Sequence, residues 1–483
     1  MATASAERSG AHTFEQLPRP AGPSVPLRFA DLLELASSRA RSLDDEGVLS
    51  LAVPLAPLDP LALLPQLPEA DGFRFLWDGA PGLCLAAAGR AQSLELSGPR
   101  RFELAQRFAS LTLNRLGNAA CAAAARPRVL LAFGFFDTPL QSGQDAVPGV
   151  QAVLPRWQLS RHGQHCWLRL QATLGGGVTA RSLAEELWQT AADLQTSASR
   201  ESDWTLGTGA TLQWSSPWQQ HYGRALKQGL DLVQQGSLTK LVLAVRQQLI
   251  CDRNLDPLDF IPALRRQQAG SCRLLWQRHS GSALVGASPE RLLTVRQGQL
   301  RCDALAGTTA AGEHASELLH SIKDRHEHEL VVDAIAAALS HQGLSPRLPR
   351  RPRLARHGHL AHLHTPITAA LGGQHPLAVA AALHPTPAVA GLPRREAMAW
   401  LRSLEPFERG HYASPIGWID SEGDTDLRVA IRCGVVQGQH LELTAGAGLV
   451  RGSQWQRELN EVGLKLQVLQ QQLNLPMPTS APA

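Results

Sequence analysis

The sequence has few cysteines, and their spacing is not typical of a disulfide framework or a zinc site. Its 483 residues contain seven cysteines, which are scattered, odd in number and never arranged as CxxC. Small secreted domains pair many cysteines, whereas proteins of reducing compartments keep them as thiols. We therefore expect buried thiols, a cytoplasmic protein and no zinc centre.

Long hydrophobic runs are also missing. The most apolar stretch, 49–67, contains four prolines, and proline breaks the helix that a membrane span requires. The first 26 residues lack the apolar segment of a secretory signal. We interpret 1–26 as a flexible leader, while a transit peptide stays open, and we expect no membrane partner.

The chain has no strong excess of charge of either sign. The 46 Lys and Arg residues exceed the 42 Asp and Glu residues by four, which gives no reason to expect a nucleic-acid partner. Five arginines and three prolines are concentrated in 346–356, without interleaved aromatic residues. We interpret this basic run as a solvated connector.

What the sequence does contain is enough apolar residues for a sizeable core, with 44% hydrophobic and 18% charged residues. Apolar runs and alternations predict strands, and 3.6-residue periodicity predicts helices. The strands are expected at 128–136, 147–159, 238–245, 273–277, 283–285, 292–295, 416–419, 427–433 and 441–443, and the helices at 182–194, 218–236, 317–339 and 455–473. The short connections within 415–450 indicate antiparallel pairing.

Two charged residues lie among apolar neighbours. Lys240 begins an apolar strand, where a desolvated amine is a candidate general base. Glu327 lies on an otherwise apolar helix face, and a buried carboxylate needs a cation or a proton. Taken singly, both have plainer explanations, because Lys240 can reach water at the strand end and Glu327 can pair with Lys323 or Arg325.

Further charged residues flank the last predicted helix. Glu458, Glu461 and Lys465 border its apolar stripe, and Glu461 and Lys465 are spaced as an ordinary surface ion pair. The preceding AGAG at 445–448 follows a strand, where backbone amides could face an anion. Arg432 alternates away from its apolar neighbours, so it faces either solvent or a site.

Eight motifs occur in order between residues 240 and 450. They are KLVLA at 240–244, GASPERLL at 286–293, ALAGT at 304–308, DRHEHELVV at 324–332, HPTPAV at 384–389, YASPIG at 412–417, LRVAIR at 427–432 and AGAGLV at 445–450. Together they resemble the chorismate-utilising enzymes, a family that includes isochorismate, salicylate, anthranilate and aminodeoxychorismate synthases. One departure is Val245, which stands where the family has an arginine.

The resemblance implies a fold and a division of the chain. The family's fold is α+β, a sandwich of large antiparallel β-sheets flanked by helices, acting as a single catalytic unit. On this basis 27–210 is a divergent N-terminal part of the same fold, 218–473 is the chorismate-binding catalytic region and 474–483 is a flexible tail.

The resemblance also implies a reaction, the magnesium-dependent conversion of chorismate to isochorismate. Water adds at C2 and the C4 hydroxyl leaves. Lys240 would be the base and Glu290 the acid, while Glu327 and Glu461 would hold Mg²⁺ with Glu458 close by. The residues that would bind substrate are Gly307, Thr308, Ala388, Val389, Arg432, Gly446 and Lys465.

Two positions distinguish members of the family. Anthranilate synthases generally have glutamine where this chain has Lys240, and aminodeoxychorismate synthases have a nucleophilic lysine where it has Ala306. We therefore expect water as the nucleophile, no glutaminase subunit and a monomer. Salicylate synthases, which go on to eliminate pyruvate, are the main alternative, although HPTPAV looks more like isochorismate synthases. A chorismate-binding scaffold without catalytic activity is a remote alternative.

We expect the isochorismate product to be used in menaquinone or phylloquinone synthesis, with a siderophore pathway as the alternative.

Overall fold

The computed structural model describes residues 28–43, 47–79, 82–116, 123–140, 143, 146–197, 212–214 and 218–475. The expected leader and most of the expected tail lie outside these residues. The helices are α1 (Phe29–Ala40), α2 (Pro60–Leu63), α3 (Arg101–Arg115), α4 (Ala180–Ser197), α5 (Trp218–Gln234), α6 (Ile261–Gln267), α7 (Ile322–His341), α8 (Pro376–Leu383), α9 (Arg394–Leu404) and α10 (Trp455–Gln472).

The strands begin with β1 (Val48–Leu55), β2 (Arg74–Asp78), β3 (Cys84–Leu96), β4 (Arg128–Phe133), β5 (Val150–His162), β6 (His165–Thr173), β7 (Leu212–Trp214), β8 (Lys240–Cys251), β9 (Cys272–His279) and β10 (Ser282–Ser288). They continue with β11 (Arg291–Arg296), β12 (Gln299–Ala310), β13 (Arg353–His357), β14 (Leu360–Ala370), β15 (Gly391–Leu392), β16 (Pro415–Asp420), β17 (Thr425–Val429), β18 (Cys433–Gln437) and β19 (His440–Val450).

These strands form one large hydrogen-bonded sheet in which neighbours run antiparallel. The two halves of the chain share it, because β2 pairs with β9 and β4 pairs with β16. The expected α+β fold, with a large antiparallel sheet flanked by helices, is confirmed.

Both faces of the central strands are buried. One core lies under the helices, and a second encloses Phe75, Trp77, Trp276 and Trp418 between strands of the two chain halves. All six residues of β4 are buried, as expected for a strand covered on both sides. The chain can therefore hold charged side chains far from water at its centre.

Two predicted elements have different boundaries. The expected helix 317–339 is divided at Ser321, whose side chain accepts a hydrogen bond from the Asp324 amide and so caps α7, after a 3-10 segment at Glu313–Leu319. The expected strand 427–433 ends at Val429, because Arg432 takes a left-handed backbone conformation with φ of 55° before β18 begins.

Two interpretations of loops were wrong. The AGAG segment at 445–448 lies inside β19, paired with β8, and does not form a loop of amides before a helix. The basic run is exposed, as expected, but it is only partly a connector, because 353–357 forms β13 beside β14.

In the part of the chain that the structure describes, the cysteines and the helices agree with the expectations of buried thiols and of no membrane span. The cysteines at 84, 166, 251, 272, 302 and 433 are free and buried. Within the same part of the chain, every helix is too short or too polar to cross a membrane.

Candidate active site

A pocket of about 830 Å³, including its solvent-open mouth, lies between strands β8, β12, β14 and β19 and helices α7 and α10. Of the twelve residues predicted for the site, ten line it: Glu290, Gly307, Thr308, Glu327, Ala388, Val389, Arg432, Gly446, Glu461 and Lys465. The other two, Lys240 and Glu458, are wholly buried.

Every predicted carboxylate of the helices faces a lysine. The three pairs are Lys240 Nζ to Glu327 Oε1 at 2.9 Å, Lys323 Nζ to Glu458 Oε1 at 2.5 Å, and Lys465 Nζ to Glu461 Oε1 at 2.8 Å. Helices α7 and α10 thus bring their acidic residues to one place, with cations that balance the charge. Of these pairs, only the last was expected from spacing.

Glu327 reaches across from α7 to the first residue of β8. Burial disfavours its charge, but Lys240 and then Lys323 outweigh burial, and the pKa of Glu327 is lowered. Glu327 is therefore ionised in the buried pair. Gly448 makes room for the contact, because a Cβ there would lie 2.3 Å from Glu327 Oε1 and 3.2 Å from Lys240 Cε.

Glu290 lies in the short connection between β10 and β11 and is 4% exposed. Its amide donates to Ser288 Oγ, and its carbonyl accepts from the Val429 amide. Burial raises the pKa of Glu290 to about 7, against the opposing charges of Lys240 and Arg432. This carboxyl group can therefore carry a proton near neutral pH, as a general acid must.

Arg432 is positioned by a histidine that the sequence analysis did not single out. Arg432 Nη2 bonds His362 Nε2, and His362 Nδ1 lies 3.1 Å from the carbonyl oxygen of Gly307 and 3.2 Å from Thr308 Oγ1. Burial, followed by the charge of Arg432, holds the pKa of His362 well below its usual value. Because the Gly307 carbonyl only accepts, neutral His362 donates from Nδ1 and accepts from Arg432 at Nε2.

The guanidinium of Arg432 stays charged although it is buried. Burial lowers the pKa of Arg432 to about 10, so the group stays cationic at neutral pH. Its Nη1 also donates to the His357 carbonyl at 3.3 Å. A second cation, Lys465, donates to the Gly446 carbonyl at 2.8 Å and ties α10 to β19. The pocket therefore presents fixed cations that can bind an anionic ligand.

Several other lining residues were not predicted. Tyr412, Thr444 and Gln472 lie in the pocket beside His362. Tyr412 begins the YASPIG motif, so its place in a motif was the one signal available. The position of His362 on a strand between other histidines carried no signal for the site.

The acidic residues suit a hard cation that prefers oxygen ligands. Glu327 and Glu461 both line the pocket, and buried Glu458 Oε2 has no hydrogen-bond partner. In the described residues no three His, Cys, Asp or Glu side chains converge tightly enough to enclose a metal ion. The two pocket-lining carboxylates fit Mg²⁺, which commonly takes one or two protein carboxylates and completes its shell with substrate oxygens and water.

Comparison with known proteins agrees with the pocket's chemistry. A family model described as "Chorismate binding enzyme" matches residues 34–474. The chain is 33% identical over 452 residues to the salicylate biosynthesis isochorismate synthase of Pseudomonas aeruginosa, covering 91% of this chain and 93% of that protein. It is 28% identical over 453 residues to the isochorismate synthase MenF of Bacillus subtilis, covering 89% and 94%.

A solved structure gives the same fold. The menaquinone-specific isochorismate synthase MenF of Escherichia coli superposes with a TM-score of 0.73 at 23% identity, covering 92% of this chain and 98% of that one. The match extends into the N-terminal half, which had offered no recognisable motif.

Proposed function

The chain belongs to the chorismate-binding enzyme family, and we propose that it is an isochorismate synthase, an isomerase that converts chorismate to isochorismate. One observation carries the proposal. Glu290, with a pKa of about 7, lines the pocket, and buried Lys240, which pairs with the pocket-lining Glu327, is close enough to affect Glu290 electrostatically. Two groups of this kind can take a proton from water and give one to a leaving hydroxyl.

Lys240 and Glu290 together account for the two protons that move in the reaction. Lys240 acts as the base in its unprotonated form, which it reaches by releasing a proton to solvent, and it removes a proton from water as the oxygen forms a bond to C2 of chorismate. The ring double bonds shift, the bond from C4 to its hydroxyl breaks, and Glu290 protonates the departing oxygen. One water enters and one leaves, so the product is an isomer of the substrate. The proton taken by Lys240 must return to Glu290 through solvent before the next turnover.

Substrate binding is assigned to the cations and the small residues of the pocket. Chorismate carries two carboxylates, and Arg432 and Lys465 are the cations that line the pocket. Charge-assisted hydrogen bonds to carboxylates are among the strongest available. Gly307, Thr308 and Gly446 provide backbone or hydroxyl groups beside these cations, while Ala388 and Val389 form an apolar wall.

Magnesium is the proposed cofactor. Glu327 and Glu461 would hold the ion with Glu458 behind them, and the ion would supply positive charge to a substrate carboxylate. The unpartnered Glu458 oxygen and the pocket-lining carboxylates support this proposal. We also infer that the protein works without a glutaminase subunit, since Lys240 serves water and not ammonia.

There are two candidate uses for the isochorismate product. Similarity over nearly the whole chain to a MenF protein supports menaquinone or phylloquinone synthesis. Similarity to the Pseudomonas aeruginosa protein, whose name includes salicylate biosynthesis, supports supply of isochorismate for salicylate. Deleting the gene for this protein in the organism of origin distinguishes the two, because growth should be restored by added menaquinone in the first case and by added salicylate in the second.

Product analysis tests the reaction itself. Purified protein is incubated with chorismate and MgCl₂, and the products are separated by chromatography. Isochorismate as the main product supports the proposal. Salicylate plus pyruvate would replace it with a salicylate synthase, and no turnover above background would leave a non-catalytic scaffold.

A matched pair of lysine variants tests the base. Lys240→Ala should abolish turnover while preserving the fold, as judged by circular dichroism. Lys227→Ala on α5, an exposed position away from the pocket, is the control and should retain wild-type turnover. Equal activity of both variants would remove Lys240 from the mechanism.

A further inference from the structure

The strand that carries Lys240 has an unusual edge. One edge of β8 pairs with β19 along its length. The other edge pairs with β15 at Lys240 and Leu241 and with β7 from Leu249 to Cys251. Among the described residues no strand pairs with the part of this edge between them.

Two side chains take the place of the missing strand. The Ala244 amide donates to Glu405 Oε1 at 2.8 Å, and Arg409 Nη2 donates to the Val242 carbonyl at 2.7 Å. The amide of Val242 donates to the Ala390 carbonyl at 2.7 Å. The amide and carbonyl of Val242 and the amide of Ala244 are thus satisfied as they would be in a sheet ladder.

Glu405 and Arg409 form a buried bidentate ion pair. Arg409 Nε donates to Glu405 Oε2 at 2.7 Å and Nη2 to Oε1 at 2.5 Å, with side-chain exposures of 2% and 0%. The remaining amine, Nη1, donates to the Val389 carbonyl at 2.7 Å. The guanidinium also lies 4.2 Å from the centre of the Phe135 ring.

The pair links three parts of the pocket wall. Val242 and Val389 line the pocket, and so does Tyr412, whose amide donates to the Arg409 carbonyl at 2.9 Å. Lys240 precedes Val242 by two residues on the same strand face. We propose that Glu405 and Arg409 are positioning residues that fix the chorismate-binding wall and the strand of Lys240. This rests on the proposed function.

An ion pair suits this role better than apolar side chains. Burying two charges costs free energy, and apolar replacements are often at least as stable. Apolar side chains, however, cannot donate to two carbonyls and accept from an amide in fixed directions. The pair's contribution should therefore appear in the geometry of the pocket more than in the stability of the fold.

Steady-state kinetics with chorismate test the proposal, at a temperature well below the melting temperature of every variant. Arg409→Lys keeps the charge but loses the bidentate geometry, and it should raise KM about tenfold or more with a smaller change in kcat. Glu405→Gln should behave similarly. The double variant Glu405→Met with Arg409→Met leaves no buried lone charge, so it should fold and still show the raised KM.

Asp78→Asn is the matched control. Asp78 and Arg273 form another buried ion pair, 3.0 Å apart, with side-chain exposures of 1% and 5%, and neither lines the pocket. Loss of the Asp78 carboxylate should lower the melting temperature without changing KM for chorismate. Calorimetric binding of chorismate, measured in parallel, should follow KM in each variant.

The outcomes separate this proposal from the proposed function. Wild-type turnover with KM and chorismate affinity unchanged in all three variants of the pair overturns the positioning role alone. Wild-type protein that neither binds nor converts chorismate overturns both. If wild type binds without turnover, tenfold weaker binding in the variants supports the positioning role while the proposed reaction is rejected.

Discussion

Glu290 should determine the alkaline limb of the pH profile. Its pKa of about 7 lies well above the ordinary value of 4.5. About half of the Glu290 carboxyl is therefore protonated at pH 7, whereas an unperturbed glutamate would be protonated to only about 0.3%. Burial thus raises the acid form about 150-fold, equivalent to about 3 kcal/mol. The sign follows: the group is active when protonated, so activity is lost as pH rises.

The assay is kcat/KM for chorismate between pH 6 and 9, at constant ionic strength and saturating MgCl₂. At a fixed protonation state of Lys240, the value should fall about tenfold per pH unit once the pH exceeds 7, because kcat/KM reports the protonated fraction of Glu290 in the free enzyme. Chorismate carboxylates are fully ionised throughout this window and do not contribute. Glu290→Gln keeps the shape but cannot donate the proton as an acid, and it should lower kcat about 100-fold or more.

The control is Glu185→Gln, a substitution of an exposed glutamate on α4. It should keep the wild-type profile and rate. An alkaline limb that persists unchanged in Glu290→Gln would refute the assignment of the acid. A wild-type profile that is already falling with full slope at pH 6 would refute the argument that burial raises the pKa of Glu290.

Three further predictions concern substrate binding, a pair of glycines and the metal. Arg432→Gln should raise KM for chorismate about tenfold or more, since it removes a charged hydrogen bond, and an unchanged KM would count against substrate contact. Gly448→Ala should lower kcat/KM about tenfold with little change in melting temperature, because its Cβ meets the flexible end of Glu327. Gly446→Ala should instead lower the melting temperature, because its Cβ would lie 2.8 Å from the backbone oxygen of Leu243; equal melting temperatures would contradict this contrast. Chelation of divalent ions should abolish turnover and added MgCl₂ should restore it; full activity in excess chelator would exclude the proposed cofactor.

The sequence allowed the fold class to be predicted, and ten of the twelve predicted site residues line the pocket, because ordered motifs carry that information. It did not allow the partners to be predicted. Spacing alone offered Glu327 a pairing within its own helix, with Lys323 or Arg325, yet it pairs with Lys240 on β8, and Lys323 pairs with Glu458. Helical spacing reports neighbours along one element, whereas these pairs depend on how α7, α10 and β8 pack.

Backbone conformation was the second limit. A strand through 427–433 satisfied the alternation of apolar residues, but the left-handed Arg432 turns its guanidinium towards His362. The glycines of 445–448 suggested a loop, since glycine weakens strands. In β19 they are needed because Glu327 and the backbone of β8 approach too closely for a side chain. Such close contacts between elements depend on tertiary packing, so a local sequence pattern does not predict them.

The three Lys–Glu pairs make the pocket unusually accessible to spectroscopy. The chain contains only four lysines, and Lys227 is the one outside these pairs. Ammonium protons of exposed, unpaired lysines exchange rapidly with water, whereas those of lysines held in ion pairs exchange more slowly, most of all at the wholly buried Lys240. Protein carrying ¹⁵N in its lysine side chains should therefore give a nearly background-free spectrum of the site. Each of the three protected signals would report on one carboxylate as substrate or Mg²⁺ is added.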